Sequence, residues 1–132
     1  MLLTRASEYA LLSLDAIRKS DKPIGAEQLA NELNLPKSFL AKILQSLAKQ
    51  DILESHKGAH GGFLLMKDIN DITVNSVIVA AEGKLPVVFD CVSNADTCPN
   101  NAIGTCVISP FLANFQTKID DFLNGLTLGD IL

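Results

Sequence analysis

The chain has 132 residues, 48% of them hydrophobic and 20% charged, and carries a formal net charge of −4. Those proportions exclude a disordered or fibrous chain and fit one domain that buries roughly three-fifths of its unfolded surface. No apolar run approaches the roughly 18 residues of a membrane span, and Arg5 and Glu8 interrupt any apolar leader, so a cytoplasmic protein with no membrane partner is expected.

The apolar positions Tyr9 to Leu12, Leu14 and Ile17 predict a first helix over 4–19, which Asp21-Lys22-Pro23 ends. A second, short helix over 25–34 carries Leu29, Ala30 and Leu33. Asn34-Leu35-Pro36 leaves room only for a tight turn, because the residue before proline is biased out of the helical region. The third helix, over 36–50, places Phe39, Leu40, Ile43, Leu44 and Leu47 at the 3.6-residue period, which predicts one buried stripe. Its other face offers Lys37, Ser38, Ala41, Lys42, Gln45, Ser46 and Lys49. Helices two and three with their turn make a helix-turn-helix pair.

Leu53-Glu54-Ser55-His56 and Phe63-Leu64-Leu65-Met66 flank the glycine-rich Lys57-Gly58-Ala59-His60-Gly61-Gly62, the pattern of a β-hairpin. Together these segments have the layout of a winged helix-turn-helix, so the expected fold is mainly α with a small β-hairpin wing. Thr73 can cap a fourth helix that runs through Val77, Ile78, Ala80 and Ala81 to Gly83. Residues 84–109 have the composition of a loop, with two prolines, Asn100-Asn101, Gly104 and all three cysteines. Pro110 opens a long final helix with Phe111, Leu112, Phe115, Ile119, Phe122 and Leu123 on its apolar side. Fourteen helical residues span about 21 Å. The small N-terminal unit can cover only part of that length, so packing against the same helix of a second copy, as a homodimer, is the economical arrangement. A capped turn over 127–132 ends the chain.

The charge is unevenly distributed. Residues 1–67 hold nine Lys/Arg against seven Asp/Glu, whereas 68–132 hold two against eight. Residues 36–67 alone hold five lysines against Asp51 and Glu54, a local balance of +3. Phosphate binding follows local rather than total charge, and the basic balance falls on the helix and hairpin that a winged helix presents to double-stranded DNA. From charge alone, an ordinary solvated face is an equal reading. The candidate DNA contacts are Lys37, Ser38, Lys42 and Gln45 on the helix, with Lys57 and His60 on the wing. His56 and His60 as metal ligands are the alternative to phosphate contacts or solvated turn residues. Enzyme signatures are absent: Gly58 to Gly62 lacks the Gly-Lys-Ser/Thr ending of a phosphate loop, and the adjacent Asp120 and Asp121 point about 100° apart.

Leu3-Thr4 with Tyr9-Ala10, Ile24 to Ala30, Phe39-Leu40 with Leu47, and Lys57-Gly58-x-x-Gly61-Gly62-Phe63 form a set. Ile72-Thr73-Val74 before Ala81-Glu82-Gly83, the three-cysteine loop and Leu126-Thr127-Leu128 complete it. The set resembles the winged-helix transcription regulators typified by IscR, NsrR and CymR over nearly the whole chain. The resemblance implies a homodimeric DNA-binding regulator whose domains divide as 1–83 for DNA, 84–109 for the cysteine loop and 110–132 for dimerisation helix and tail. Two departures bear on the operator. Ala41 stands where the family commonly has Glu, and a methyl can only touch thymine where a carboxylate would accept from cytosine N4. Lys57 stands for the wing's usual Arg and lacks its bidentate fork.

Cys91, Cys98 and Cys106 form C-x6-C-x7-C. An odd count in a cytoplasmic chain does not suit a disulfide framework, nor does the spacing suit a zinc ribbon. An iron-sulphur cluster, redox-sensing or plain thiols, and zinc are the three readings. The resemblance implies the cluster, with Cys91, Cys98 and Cys106 as ligands. The His that follows the third cysteine in IscR-like members is replaced here by Val107-Ile108-Ser109. Members resembling NsrR take an acid from the first helix of the partner subunit, and Glu8 falls at that place; an acid in a first turn also serves the helix dipole. The function expected is therefore a cluster-switched transcription regulator. The alternatives are a cluster-free regulator that responds to thiol oxidation or a partner protein, and a cluster or redox protein that binds no DNA.

Overall fold

Thr4 opens the first helix in the way its side chain dictates: the hydroxyl oxygen accepts from the Ala6 N–H at 3.1 Å, satisfying one of the end groups that a helix leaves open. The computed structural model describes residues 3–89, 98 and 105–132. Its helices are α1 (Arg5–Arg18), α2 (Ala26–Leu33), α3 (Lys37–Lys49), α4 (Val74–Glu82), α5 (Ser109–Gly125) and α6 (Leu128–Ile131). The strands are β1 (Leu53–His56) and β2 (Gly62–Leu65), and a 3-10 turn (Ile69–Asp71) precedes α4. No helix among the described residues is long and apolar enough to cross a membrane.

α2 ends because Asn34 adopts the left-handed conformation, φ 55, and the Leu35 N–H returns to the Ala30 carbonyl at 2.9 Å. Pro36 then caps α3 with extended backbone, so the helix-turn-helix corner is as short as expected. The inward side of α3 buries Leu40, Ile43, Leu44 and Leu47 completely or nearly so, in one core shared with Ala10, Leu14 and Ile17 of α1, Leu29 of α2 and Val77 of α4. Phe39 departs from the expected stripe. It is 40% exposed and meets the Tyr9 ring edge-on, with centroids 5.7 Å apart. One residue is about 100° of helix rotation, which carries Phe39 from the buried stripe to its rim.

β1 and β2 pair antiparallel from Leu53 opposite Leu65 to His56 opposite Gly62. Gly62 belongs to the return strand and Met66 lies just beyond it, one residue from the expected bounds. A third segment was not legible: Ile24, ahead of α2, bridges to Phe63 through paired backbone hydrogen bonds of 3.1 and 2.9 Å. The wing is thereby stitched to the entrance of the helix-turn-helix. Gly62 permits this, with φ at +146 and the Ile24 carbonyl carbon only 2.4 Å from where a Cβ would sit. Gly62→Ala is expected to cost about 3 kcal/mol and shift the wing, which a fall in the urea midpoint would register.

Thr73 caps α4 by accepting from the Ser76 N–H, and Gly83 closes it in the left-handed region, as the sequence predicts. α5 begins one residue before Pro110. Its apolar side splits in two. Leu123 is buried against Val74 and Ile78 of α4, with Ile119 beside it, whereas Phe111, Phe115 and Phe122 face outward. Beyond α5 the chain returns to the N-terminal unit. Thr127 bridges to Thr73, and Leu128 enters the main core with no exposed surface. Thr127 and Asp130 form a reciprocal capping box that starts α6.

Candidate nucleic-acid interface and cysteine loop

Lys37, Ser38, Lys42 and Gln45 all lie exposed on the side of α3 opposite its buried stripe, with Ala41 half-buried among them. A helix anchored by four buried aliphatic residues offers these side chains on a fixed frame. Ser38 and Gln45 supply neutral donors and acceptors, and Lys37 and Lys42 supply charge. Lys57 and His60 are exposed in the wing turn. His56 stands 3.6 Å from Glu54 on the same strand, and among the described residues no group of three or more possible metal ligands forms around either. Two acids also reach this surface. Glu54 is exposed on β1, and Glu27 of α2 holds Lys37 at 3.1 Å, a pairing that neither residue's sequence environment announced.

The cysteine loop is described only in part. Cys91 lies outside the described residues, and Cys98 and Cys106 are half-buried thiols. Among the described residues no group of three or more His, Cys, Asp or Glu side chains is brought together. Glu8 is exposed in the first turn of α1 and is ion-paired with Arg5. The pair uses Oε2 of the carboxylate, so a ligand bond would fall to the other oxygen or compete with Arg5. Thiols and a carboxylate are a chemically apt donor set for a cluster with one oxygen ligand, and the exposure of Glu8 leaves it accessible to a second subunit.

Two clamps fasten the loop's surroundings. Glu82, at the end of α4, accepts from Ser7 Oγ at 2.6 Å, from Thr4 Oγ1 at 2.7 and 2.9 Å, and from the Thr4 N–H at 2.9 Å. It thus joins the start of α1, where Glu8 resides, to the point from which the loop departs. Burial works against the charged form, but the hydrogen bonds from Ser7 and Thr4 outweigh it and hold the Glu82 carboxyl below its ordinary value. A depressed folded-state value means that the carboxylate's stabilisation is complete above the ordinary 4.5 and is lost as pH falls through the folded value. The stability advantage of the protein over its Glu82→Gln variant is therefore expected to shrink on acidification from pH 6 to pH 4, as paired urea titrations would show.

The second clamp is Gln116 of α5. Its Nε2 donates to the Pro86 carbonyl at 2.9 Å and to Asp120 at 2.8 Å, and its Oε1 accepts from the Val88 N–H at 2.8 Å. One side chain thus grips the first stretch of the loop on both its donor and acceptor sides. Around it a cleft of about 380 Å³ is lined by Asn75, Leu85, Pro86, Val87, Asp120 and Asn124. Elsewhere on α5, Phe111 and Phe115 stack at 5.9 Å, and Val107, just ahead of the helix, is 92% exposed.

The family model described as an iron-dependent transcriptional regulator, Rrf2, matches residues 3–132. The IscR transcriptional regulator of Photobacterium profundum is 29% identical over 100% of this chain and 76% of its own length. Protein rrf2 of Nitratidesulfovibrio vulgaris is 28% identical over 100% and 87%. Among solved structures, CymR of B. subtilis superposes with a TM-score of 0.68 at 21% identity, covering 98% of this chain and 94% of that one. IscR of T. potens gives 0.69 at 22% identity, covering 98% and 84%. At such identities the structural likeness establishes the winged-helix fold.

Proposed function

The chain belongs to the Rrf2 family of transcriptional regulators, and from that premise we propose that it is a cytoplasmic homodimer that binds double-stranded DNA and is switched at its cysteine loop. It is a regulator of the kind its relatives are, not an enzyme. The observation that carries the DNA interface is the division of α3: Leu40, Ile43, Leu44 and Leu47 are locked in the core while Lys37, Ser38, Lys42 and Gln45 are exposed on the opposite side. In this reading α3 enters the major groove, with Ser38 and Gln45 toward base edges and Lys37 and Lys42 toward phosphates, and Lys57 and His60 of the wing follow the adjacent backbone. Ala41 offers a methyl group where a carboxylate would read cytosine, which favours a thymine at the corresponding position.

Residues 1–83 then form the DNA-binding unit, 84–109 the sensing loop, and 110–132 the dimerisation helix and tail. Phe111, Phe115 and Phe122 are the face offered to a second copy. Cys91, Cys98 and Cys106 would hold an iron-sulphur cluster, with the partner's Glu8 as the oxygen ligand. Such a cluster, when bound, supplies a centre whose gain, loss or change of charge reports redox state, nitric oxide or iron supply. The chain's own residues convert this into movement. α5 is pinned at its C-terminal end by the Thr73–Thr127 bridge and Leu128, and Gln116 holds its N-terminal half to the loop at Pro86 and Val88. A change in the loop therefore tilts α5 about its pinned end and alters the spacing of the two recognition helices, a shift between two dimer arrangements.

A second reading has one observation in its favour: Glu8 is engaged with Arg5 within its own chain. It keeps the same lever and lets thiol oxidation at Cys98 or Cys106 move it. The visible absorption spectrum of protein purified without air separates the two. Iron-dependent absorbance that disappears in the Cys98→Ser and Cys106→Ser variants supports the cluster. A colourless, iron-free protein from iron-replete cells with full DNA binding rejects it.

A further inference from the structure

Lys37 is the first residue of α3, and nothing on α3 itself balances its charge. Pro36 provides no side-chain cap and the first turn of α3 contains no acid. The N–H groups of Lys37, Ser38 and Phe39, ahead of the first intrahelical bond from Leu40 to Pro36, and the positive end of the helix dipole add to the ammonium there, so the start of the recognition helix is electrostatically prepared for an anion. In the protein without DNA, an anion is already present: the Glu27 carboxylate, 3.1 Å from Lys37 Nζ, contributed by the second residue of α2. Glu27 is 73% exposed at its side chain and Lys37 is 61% exposed, so the pair stands in solvent on the outer surface of the helix-turn-helix rather than in its core.

An exposed pair of this kind contributes little to folding. Its effect on binding is of a different order. A carboxylate on Lys37 neutralises the charge that would otherwise displace a counterion from phosphate, and it places a negative group where the DNA backbone must pass. We propose that Glu27 is an affinity governor for DNA: it occupies Lys37 as a stand-in for phosphate and must be displaced each time the recognition helix docks. This rests on the DNA-binding reading of α3. Its consequence is a uniform restraint on affinity. A cost paid at every encounter lowers specific and non-specific binding by the same factor, leaves their ratio unchanged and lowers the salt concentration at which the protein leaves DNA. Glu27 therefore belongs to the binding surface although it makes no favourable contact with DNA, and it lies in helix two, outside the helix that reads the bases.

Fluorescence anisotropy with a labelled random-sequence 30-base-pair duplex tests this without knowledge of the operator. Glu27→Gln keeps size and polarity and removes the charge. It is expected to bind the duplex roughly threefold to tenfold more tightly at low salt, and to steepen the plot of log affinity against log salt by about one per protomer. Lys37→Ala is expected to weaken binding and flatten that plot, and in its background the gain from Glu27→Gln should largely vanish. Thermal melting of Glu27→Gln should match that of the parent, since the pair is exposed. Equal affinity and slope for parent and Glu27→Gln would overturn the proposal. A gain that persists undiminished beside Lys37→Ala would overturn it as well, by showing simple repulsion of phosphate without any hold on Lys37. A parent protein that binds no duplex even at low salt would overturn the DNA-binding reading itself along with the governor.

Discussion

Replacing Phe111 and Phe115 together by aspartate is expected to turn the proposed homodimer into a monomer and to weaken binding to duplex DNA by about 100-fold. Both rings stand on the outer side of α5 and stack on one another, Phe111 64% and Phe115 39% exposed, so the single chain leaves the first largely and the second partly open to water. An aromatic side chain can bury roughly 150–250 Å², and two from each protomer, joined by Phe122, give a self-complementary face of the kind a two-fold dimer requires. Two carboxylates in its centre would be desolvated without partners, a cost of several kcal/mol that no dimer of this size could absorb. The DNA effect follows from linkage: a dimer engages two half-sites in one event, and the second contact raises overall affinity by roughly 10² to 10⁴. Because neither position belongs to the buried clusters that hold the chain together, the monomer should keep its helical circular dichroism. Light scattering at micromolar concentration, paired with anisotropy, reads both quantities. A variant that remains dimeric would move the dimer face away from α5.

A large stability loss is also expected at the other end of that helix. Leu128→Ala should lower unfolding free energy by about 3 kcal/mol, although the residue is only four positions from the chain's last. Leu128 has no exposed surface and packs into the core of the N-terminal unit, held in register by hydrogen bonds of 2.8 Å from Val74 N–H to the Leu126 carbonyl and from the Leu128 N–H to the Ile72 carbonyl. Removing its side chain leaves a cavity and frees the pinned end of α5. Ile131→Ala, three residues further along and largely exposed, should cost under about 0.5 kcal/mol. Urea midpoints of the two variants measure the contrast, and equal losses would mean that the tail is not the anchor.

The helices and their ends were legible because each carries a local signal. Thr73 and Gly83 delimit α4 by capping chemistry, and the 3.6-residue period of Leu40, Ile43, Leu44 and Leu47 orients α3. Periodicity resolves a stripe but not its edge, so it does not separate Phe39 at the rim from the buried residues beside it. The sequence does not separate the two sides of α5 for a related reason: positions 111 and 112 are both apolar, and only the place of α4 decides which of them turns inward. Ala81-Glu82-Gly83 stood out as a motif, yet its purpose became visible only when Thr4 and Ser7 arrived from the far end of the domain. Gln116 and Glu27 gave no signal. A polar residue on a helix has the same local pattern whether it faces water or grips a loop, so the partners at Pro86, Val88 and Lys37 had to be seen in space. Of the candidate site, the α3 and wing residues are where the pattern put them, whereas the cysteine loop depends on Cys91, which lies outside the described residues.

That the outward side of α3 and the wing is a DNA-binding surface is tested most directly by salt titration of duplex binding for the parent and for Lys57→Ala. The expected result for the parent is a linear fall of log affinity with log salt whose slope corresponds to several phosphate contacts, at about 0.9 per contact. Lys57→Ala should bind less tightly and show a slope shallower by about one per protomer. Binding indifferent to ionic strength, or a Lys57→Ala titration that overlays the parent's, would contradict it.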